Sequence, residues 1–352
     1  MESNIYDNIV SKISSILKKQ DIQEIREIAD QILIHVESLP DDSELKYIRE
    51  DVLKIRESLS QERAVHYARI ALKSLSGPKR GKINDMDMNR WREYEDIITD
   101  SLWIIKRRDR SGAHNANYWG NFIPQIPYQM INRYTKKNEW VLDTFAGSGT
   151  TLIECRRNGR NGIGIDISPD AVETSEKNIE NEENRFNVKT KVIRGNSIKI
   201  DYKRIMEENG IEKFQLAILH PPYWDIIKFS DDTEDLSNMP STKEFLRSMR
   251  ILGEKVYDVL EDGRMAVLVI GDKYSGGEWI PLGFLTMNEL MASGFNLKSI
   301  VVKNYDLTRG KSNQEELWRY RALMGNFYVF KHEYIFIMEK KKGRRYKKTE
   351  KE

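Results

Sequence analysis

At 352 residues, with 39% hydrophobic and 32% charged side chains, the chain is long enough for one large domain plus a smaller module. No apolar run approaches the roughly 20 residues of a membrane span, and the amino terminus lacks the apolar core of a signal peptide, so a cytoplasmic protein without membrane contact is expected. A net charge of +2 leaves affinity for any polyanion to local clusters, a single cysteine (Cys155) excludes an internal disulfide framework, and five scattered histidines without HExxH spacing predict no metal site.

Residues 1–76 read as an all-helical module. Ile5, Ile9, Ile13, Ile16 and Leu17 recur at helical spacing, as do Ile22, Ile25, Ala29, Ile32, Leu33 and Val36. Leu39-Pro40-Asp41-Asp42-Ser43 interrupts the pattern, and two more helices are expected, around Leu45 to Leu59 and up to Leu75. An amphipathic bundle of this kind docks on a larger domain, forms a homodimer through its helices, or contacts nucleic acid; the pattern leaves all three open. The basic, breaker-rich Ser76-Gly77-Pro78-Lys79-Arg80-Gly81-Lys82 marks the boundary. Residues 77–111 are then a linker and a connecting helix carrying Trp91, Tyr94, Ile97, Ile98, Leu102 and Ile105, with Arg107, Arg108 and Arg110 at its end.

From Gly112 the pattern alternates helix and strand, which predicts an α/β domain with a mostly parallel sheet over residues 112–340. A helix Pro127 to Tyr134 leads into VLDTFAGSGTTL, residues 141–152. There Val141 and Leu142 end a buried strand, Asp143 sits at its carboxyl edge, and Gly147-Ser148-Gly149 turn the chain into a helix starting at Thr150. The unpaired N–H groups of such a helix start suit an anionic group, and glycines let backbone approach a ligand closely. The next strand, Gly162 to Ile165, is closed by Asp166, an acid placed to bind the two hydroxyls of a ribose or else to cap the helix opened by Ser168-Pro169. Val192-Ile193 and Asn196 mark a third strand edge. A dinucleotide fingerprint is excluded because its third glycine falls on Leu152, and a Walker-type loop because no lysine follows Gly149. A nucleoside-bearing ligand over these edges is the expectation.

A fourth buried strand, Leu216 to Leu219, runs into His220-Pro221-Pro222-Tyr223-Trp224. Consecutive prolines stiffen the backbone and supply no N–H, so the carbonyls of His220 and Pro221 are left to accept from a ligand amine while Tyr223 offers a stacking face. Beyond it come an amphipathic helix (Phe245 to Leu260), a turn at Glu261-Asp262-Gly263-Arg264, a buried strand (Met265 to Ile270) ending in Gly271-Asp272-Lys273, and a helix (Leu282 to Ala292). Strands Leu297 to Lys303 and Tyr334 to Met338, an antiparallel pair, complete a seven-stranded sheet. Between them residues 304–331 form a polar insertion with Arg309, Lys311, Asn313, Gln314, Trp318, Arg319, Tyr320 and Arg321. It is either a base-reading segment, since Arg, Asn and Gln pair with purine edges, or a solvated loop around one core tryptophan. Lys340 to Lys348 holds seven basic residues among nine, and residues 341–352 are expected to be a basic tail that attracts phosphate.

FAGSGTT and HPPY together resemble the S-adenosylmethionine-dependent DNA amino-methyltransferases (the N4-cytosine and N6-adenine type), and Gly120-Asn121-Phe122-Ile123-Pro124-Gln125-Ile126-Pro127 looks like that family's upstream cofactor-side motif. The resemblance covers about residues 112–340 and implies a Rossmann-like class I methyltransferase sheet. It assigns the methionine ammonium group of S-adenosyl-L-methionine to Asp143, room for the methionine part to Gly147 and Gly149 with Thr150 at the helix start, packing to Phe145, the ribose to Asp166 and the adenine amino group to Asn196. His220 and the Pro221 carbonyl would accept from the target amine, Pro222 would stiffen the loop, and Tyr223 would stack on a base flipped out of double-stranded DNA. Where the family has Asp, Asn or Ser, this chain has His220, so adenine N6 and cytosine N4 both stay open. Arg309, Lys311, Trp318, Arg319 and Arg321 are the candidate DNA contacts. Cytosine C5 chemistry is excluded, because Cys155 follows Glu154 inside a helix and not a proline. A cognate restriction enzyme is the partner the resemblance implies. Its alternatives are an RNA guanine-N2 methyltransferase, whose motif also contains Pro-Pro-Tyr, and a non-catalytic nucleic-acid-binding subunit of the same fold.

Overall fold

The computed structural model describes residues 2–37, 43–75, 77–114, 120–305 and 315–343. The chain divides into two compact units, Met1–Ile97 and Ile98–Glu352. No helix among the described residues is long and apolar enough to cross a membrane.

The first unit holds helices α1 (Glu2–Ile16), α2 (Ile22–Glu37), α3 (Ser43–Arg56) and α4 (Gln61–Leu75). Each buries one stripe at the three- and four-residue spacing read from the sequence: Ile9, Ile13 and Ile16; Ile25, Ala29, Ile32 and Val36; Ile48, Val52 and Ile55; Ala64, Ala68 and Ala71. Past α4 the chain stays with this unit through a two-pronged ion pair, in which Arg92 donates to both oxygens of the buried Asp51 at 2.9 and 2.5 Å.

The expected connecting helix does not form. Residues 91–93 make one 3₁₀ turn and the rest is irregular. Before it, the Asp87 carboxylate accepts from the Lys79 and Asn89 amides at 2.8 and 2.9 Å, local bonds that hold the linker in a turn. Farther on, Leu102 and Ile104 are exposed while Trp103 between them is fully buried. That alternation is strand-like, and Leu102–Trp103 (β1) pairs in parallel with β9 (Asn296–Asn304).

In the second unit, α5 (Gln125–Tyr134), β2 (Trp140–Asp143), α6 (Thr150–Asn158), β3 (Asn161–Asp166), α7 (Pro169–Glu180), β4 (Thr190–Arg194), α8 (Tyr202–Asn209) and β5 (Phe214–Leu219) follow the alternation read from the sequence. Then come α9 (Thr242–Val259), β6 (Leu260–Ile270), a small hairpin of β7 (Lys273–Ser275) and β8 (Glu278–Ile280), α10 (Leu282–Ala292), β9, α11 (Glu315–Gly325) and β10 (His332–Glu339). The sheet order is β1-β9-β10-β6-β5-β2-β3-β4. It is parallel except for β10, which runs antiparallel to both β6 and β9. This is the expected Rossmann-like α/β sheet of seven strands, with the two-residue β1 as an added edge.

Central strands are apolar on both sides. In β5, Ala217 and Leu219 join a core with Tyr202 and Ile205 of α8, Phe245 and Met249 of α9, and Leu282 and Leu290 of α10. Their neighbours Leu216 and Ile218, also buried, face the other way by the two-residue period of a strand. α6 is capped at its start by Gly149, whose φ of +83° suits glycine; a Cβ there would also sit 3.0 Å from Ser175 of α7.

Candidate active site

Strand order reverses between β2 and β5, with β3 and β4 on one side and β6 on the other. In open α/β sheets the crevice outside the carboxyl ends of the strands at such a reversal is where ligands sit. A cavity of about 720 Å³ opens there. Its wall is contributed by successive strand ends: Phe145–Gly147 after β2, Asp166 and Ile167 after β3, Gly195–Ile198 after β4, His220–Tyr223 after β5, and Gly271 and Asp272 after β6. Asn121 and Phe122 add the segment before α5. The two motifs, 73 residues apart between Gly147 and His220, therefore share one space.

At one end the cavity is acidic. Asp166 accepts from the Gly147 amide at 2.8 Å through Oδ2 and from the Ser168 amide at 3.0 Å through Oδ1, so the turn after β2 is tied to the end of β3. Glu234 and the buried Asp235 line the same space. Asn196 accepts from the Ile198 amide at 2.9 Å and donates to Glu234. Asp143 lies beneath the wall, 1% exposed. Its Oδ1 accepts from the Phe145 amide at 2.9 Å, while its Oδ2 is buried without a hydrogen-bond partner among the described residues. Burial pushes this carboxyl up to about 6. The Thr151 hydroxyl and the Phe145 amide temper the rise, and Asp166 adds to it. The acidic lining of Asp166, Glu234 and Asp235, with Asp143 buried behind it, fits a ligand that carries a cationic group, as the ammonium of S-adenosylmethionine is. Gly149 and Thr150 stand back from the wall: Gly149 caps α6, and the Thr150 hydroxyl donates to Asn121 Oδ1 at 2.6 Å, steadying a residue that does line the cavity.

At the other end stand the aromatic groups. His220 is partly buried, edge-on to Phe122 with ring centroids 4.7 Å apart and to Tyr223 at 5.9 Å. Burial drives its imidazole down to about 4, with the Glu333 carboxylate pulling upward and the Lys303 ammonium downward. The ring is neutral at physiological pH and keeps one acceptor nitrogen. Tyr223 packs on Gly271, where a Cβ would lie 2.9 Å from its ring. Its hydroxyl donates to Glu333 Oε2 at 2.7 Å.

Glu333 was not among the residues anticipated from sequence, and neither was Lys303. They sit directly opposite each other on β10 and β9, both buried, with Lys303 Nζ 2.9 Å from Glu333 Oε1. The Tyr305 hydroxyl donates to Glu333 Oε2 at 3.0 Å. The available signal was a charge next to the apolar run of each strand, Lys303 after Ile300-Val301-Val302 and Glu333 before Tyr334-Ile335-Phe336-Ile337. Arg108, whose guanidinium donates to the Asn121 and Phe122 carbonyls at 3.1 and 3.0 Å, was assigned to a helix end and instead braces the cavity's upstream segment. Asp272 accepts from the Gly283 amide and the Trp279 indole, and Lys273 pairs with Asp225 with its ammonium 3.9 Å from the centre of the Trp224 ring.

Of the candidate DNA contacts, Arg309 and Lys311 lie outside the described residues. Trp318 is on α11 and lines the cavity, Arg321 lies over its ring at 5.2 Å, and Arg319 is exposed. One group with metal-like proximity exists among the described residues, Asp109, His114 and Glu154; the Arg157 guanidinium already bridges its two carboxylates at 3.4 and 3.3 Å.

A profile of the N6/N4 DNA methylase family matches residues 15–177 and 214–352, well over half of the chain. The chain belongs to the N6/N4 DNA methylase family. The match includes both strand-end motifs and the β9–β10 pair, and its first segment starts inside α1. Among individual relatives, the Type II methyltransferase M.MjaII of Methanocaldococcus jannaschii is 48% identical over 52 residues, which is 15% of this chain and 10% of that protein. The Type II methyltransferase M.BglI of Bacillus subtilis is 33% identical over 88 residues, 25% and 24% of the two chains. A tRNA (guanine(10)-N2)-dimethyltransferase of M. jannaschii is 30% identical over 129 residues, 34% and 36%. These alignments thus span a tenth to about a third of the relatives' own lengths.

Proposed function

We propose that this DNA methylase family member transfers a methyl group from S-adenosylmethionine to the exocyclic amine, adenine N6 or cytosine N4, of a base flipped out of double-stranded DNA. The observation that carries the reading is a single cavity that has Asp166, Glu234 and Asp235 in its lining together with His220-Pro221-Pro222-Tyr223. When bound, the cofactor supplies an electrophilic sulfonium methyl. Asp143, Gly147, Asp166 and Asn196 would hold it, with Phe145 packing alongside.

An exocyclic amine is a poor nucleophile because its lone pair is delocalised into the ring. The neutral His220 nitrogen and the Pro221 carbonyl accept from its two hydrogens, which localises the lone pair and orients it for attack. Pro222 keeps that carbonyl in place, and Tyr223 offers the flipped base a stacking wall. His220 can also take the proton that the methylated nitrogen must lose, at its unprotonated ring nitrogen. No covalent enzyme intermediate is required.

Labelled-methyl transfer assays on duplex DNA, single-stranded DNA and tRNA transcripts test the reading. Label in an amine of duplex DNA is expected. Label in guanine of tRNA alone would move the chain to the chemistry named for its tRNA-modifying relative. A cognate restriction endonuclease as partner, residence in the cytoplasm and homodimerisation through α1–α4 complete the proposal; sedimentation velocity tests the last.

A further inference from the structure

We infer that Lys303 and Glu333 are positioning residues for Tyr223, holding by its hydroxyl the aromatic wall against which the target base is placed. The inference rests on the proposed function and extends it to two residues outside both motifs. Glu333 spends both carboxylate oxygens: Oε1 meets Lys303 Nζ at 2.9 Å, and Oε2 accepts from Tyr223 at 2.7 Å and Tyr305 at 3.0 Å. Lys303 Nζ donates in addition to the Asn304 carbonyl at 2.9 Å. Both residues are under 5% exposed.

An ion pair buried this deeply contributes little to stability that an apolar pair of similar volume would not supply, because desolvation offsets the Coulomb attraction. Its place where β9 and β10 meet the cavity wall is accounted for by what it grips. One side of the Tyr223 ring lies close to Gly271 and its hydroxyl is held by Glu333, so two points fix its placement. A stacking platform needs that rigidity, since small misplacements of reacting groups are costly.

Single-turnover rates, cofactor affinity and DNA affinity are to be compared for wild type, Tyr223→Phe, Glu333→Gln and the double variant. Each single change is expected to slow transfer roughly 10-fold or more through lost alignment, with both affinities retained. The double variant is expected to be no slower than the slower single one, because both remove the same grip; multiplying effects would overturn the inference. Should Glu333→Gln fail to fold because Lys303 is left unpaired, Lys303→Met with Glu333→Gln removes both charges, and a full rate in that folded variant would likewise overturn it. If wild type methylates no DNA, the proposed function fails on its own. The inference is then decided by the crystal structure of the charge-free variant: a displaced Tyr223 ring upholds it and an unmoved ring refutes it.

Discussion

The acceptor role proposed for His220 depends on where it sits. In the sequence its titration is expected near the ordinary 6.5, and on that basis methyl transfer would fade through neutral pH. Burial against Phe122 and Tyr223 takes the pKa down to about 4. Protonation turns the acceptor into a donor, so the rate falls as pH falls, but only as pH approaches 4; a single-turnover profile flat from pH 8 to 6 is expected, and a midpoint near 6.5 would contradict it. His220→Asn, which keeps an acceptor, should retain partial activity, whereas His220→Ala should bind cofactor normally and lose roughly 100-fold in rate, by analogy with removal of one oriented hydrogen bond. Asp143 works in the opposite sense. Its folded pKa is raised to about 6, and a cationic ligand favours the ionised form. Cofactor binding should therefore release protons near pH 6 and weaken as pH drops below it; calorimetry in buffers of different ionisation enthalpy measures this, and absence of proton release at pH 6 would count against Asp143 as the ammonium partner. Asp166→Ala should cost about 1–3 kcal/mol of cofactor binding. The motif residues were legible because turn glycines, a strand-end acid and paired prolines have few other reasons to occur together. Lys303 and Glu333 were not, because only the pairing of β9 with β10 brings residues 30 apart in sequence into contact.

At the scale of elements, the buried strands and the helices between them could be read from period alone, and β2 through β5 fall within a few residues of expectation, whereas β6 starts at Leu260 and takes in Glu261–Arg264, read as a turn, at a register shift against β5 with Gly263 at φ +81°. The stretch 91–105 could not. Its apolar residues fit a helical wheel, yet the alternation around Trp103 selects an edge strand. The 304–331 insertion contains a helix, α11, in its described part, a form the polar composition did not announce. Trp318 on its inner side lines the cavity while Arg319 is exposed. Arg319→Ala and Arg321→Ala are expected to change sequence preference on a panel of substituted duplexes with little loss of general affinity; uniform weakening across the panel would assign them to phosphate instead. Lys340, counted from sequence with the basic run at the carboxyl end, belongs to the fold: it is 8% exposed and donates to the Tyr257 and Leu260 carbonyls at 2.7 and 2.8 Å. A truncation meant to remove the tail should therefore begin after Gly343.

Over the whole molecule, a net charge of +2 supplies no strong attractive field for DNA, so binding has to draw on clustered cations. Affinity should fall linearly on a log–log plot against salt. Removing residues 344–352, which carry Arg344, Arg345, Lys347, Lys348 and Lys351, should make the slope shallower for all sequences alike, while an unchanged slope would show that the tail does not reach phosphate. What the whole fold adds to its parts is the joining of an acidic cofactor edge and a neutral, aromatic edge in one 720 Å³ cavity at the sheet's reversal point. That joining is the central claim. Its most direct measurement is modified-base sequencing of DNA from cells expressing the chain, alongside cells expressing His220→Ala. The expected result is N6-methyladenine or N4-methylcytosine at one defined sequence with the wild-type chain and its near absence with the variant. Unmodified DNA from cells in which the purified wild-type chain binds S-adenosylmethionine, or equal modification by both chains, would contradict the account.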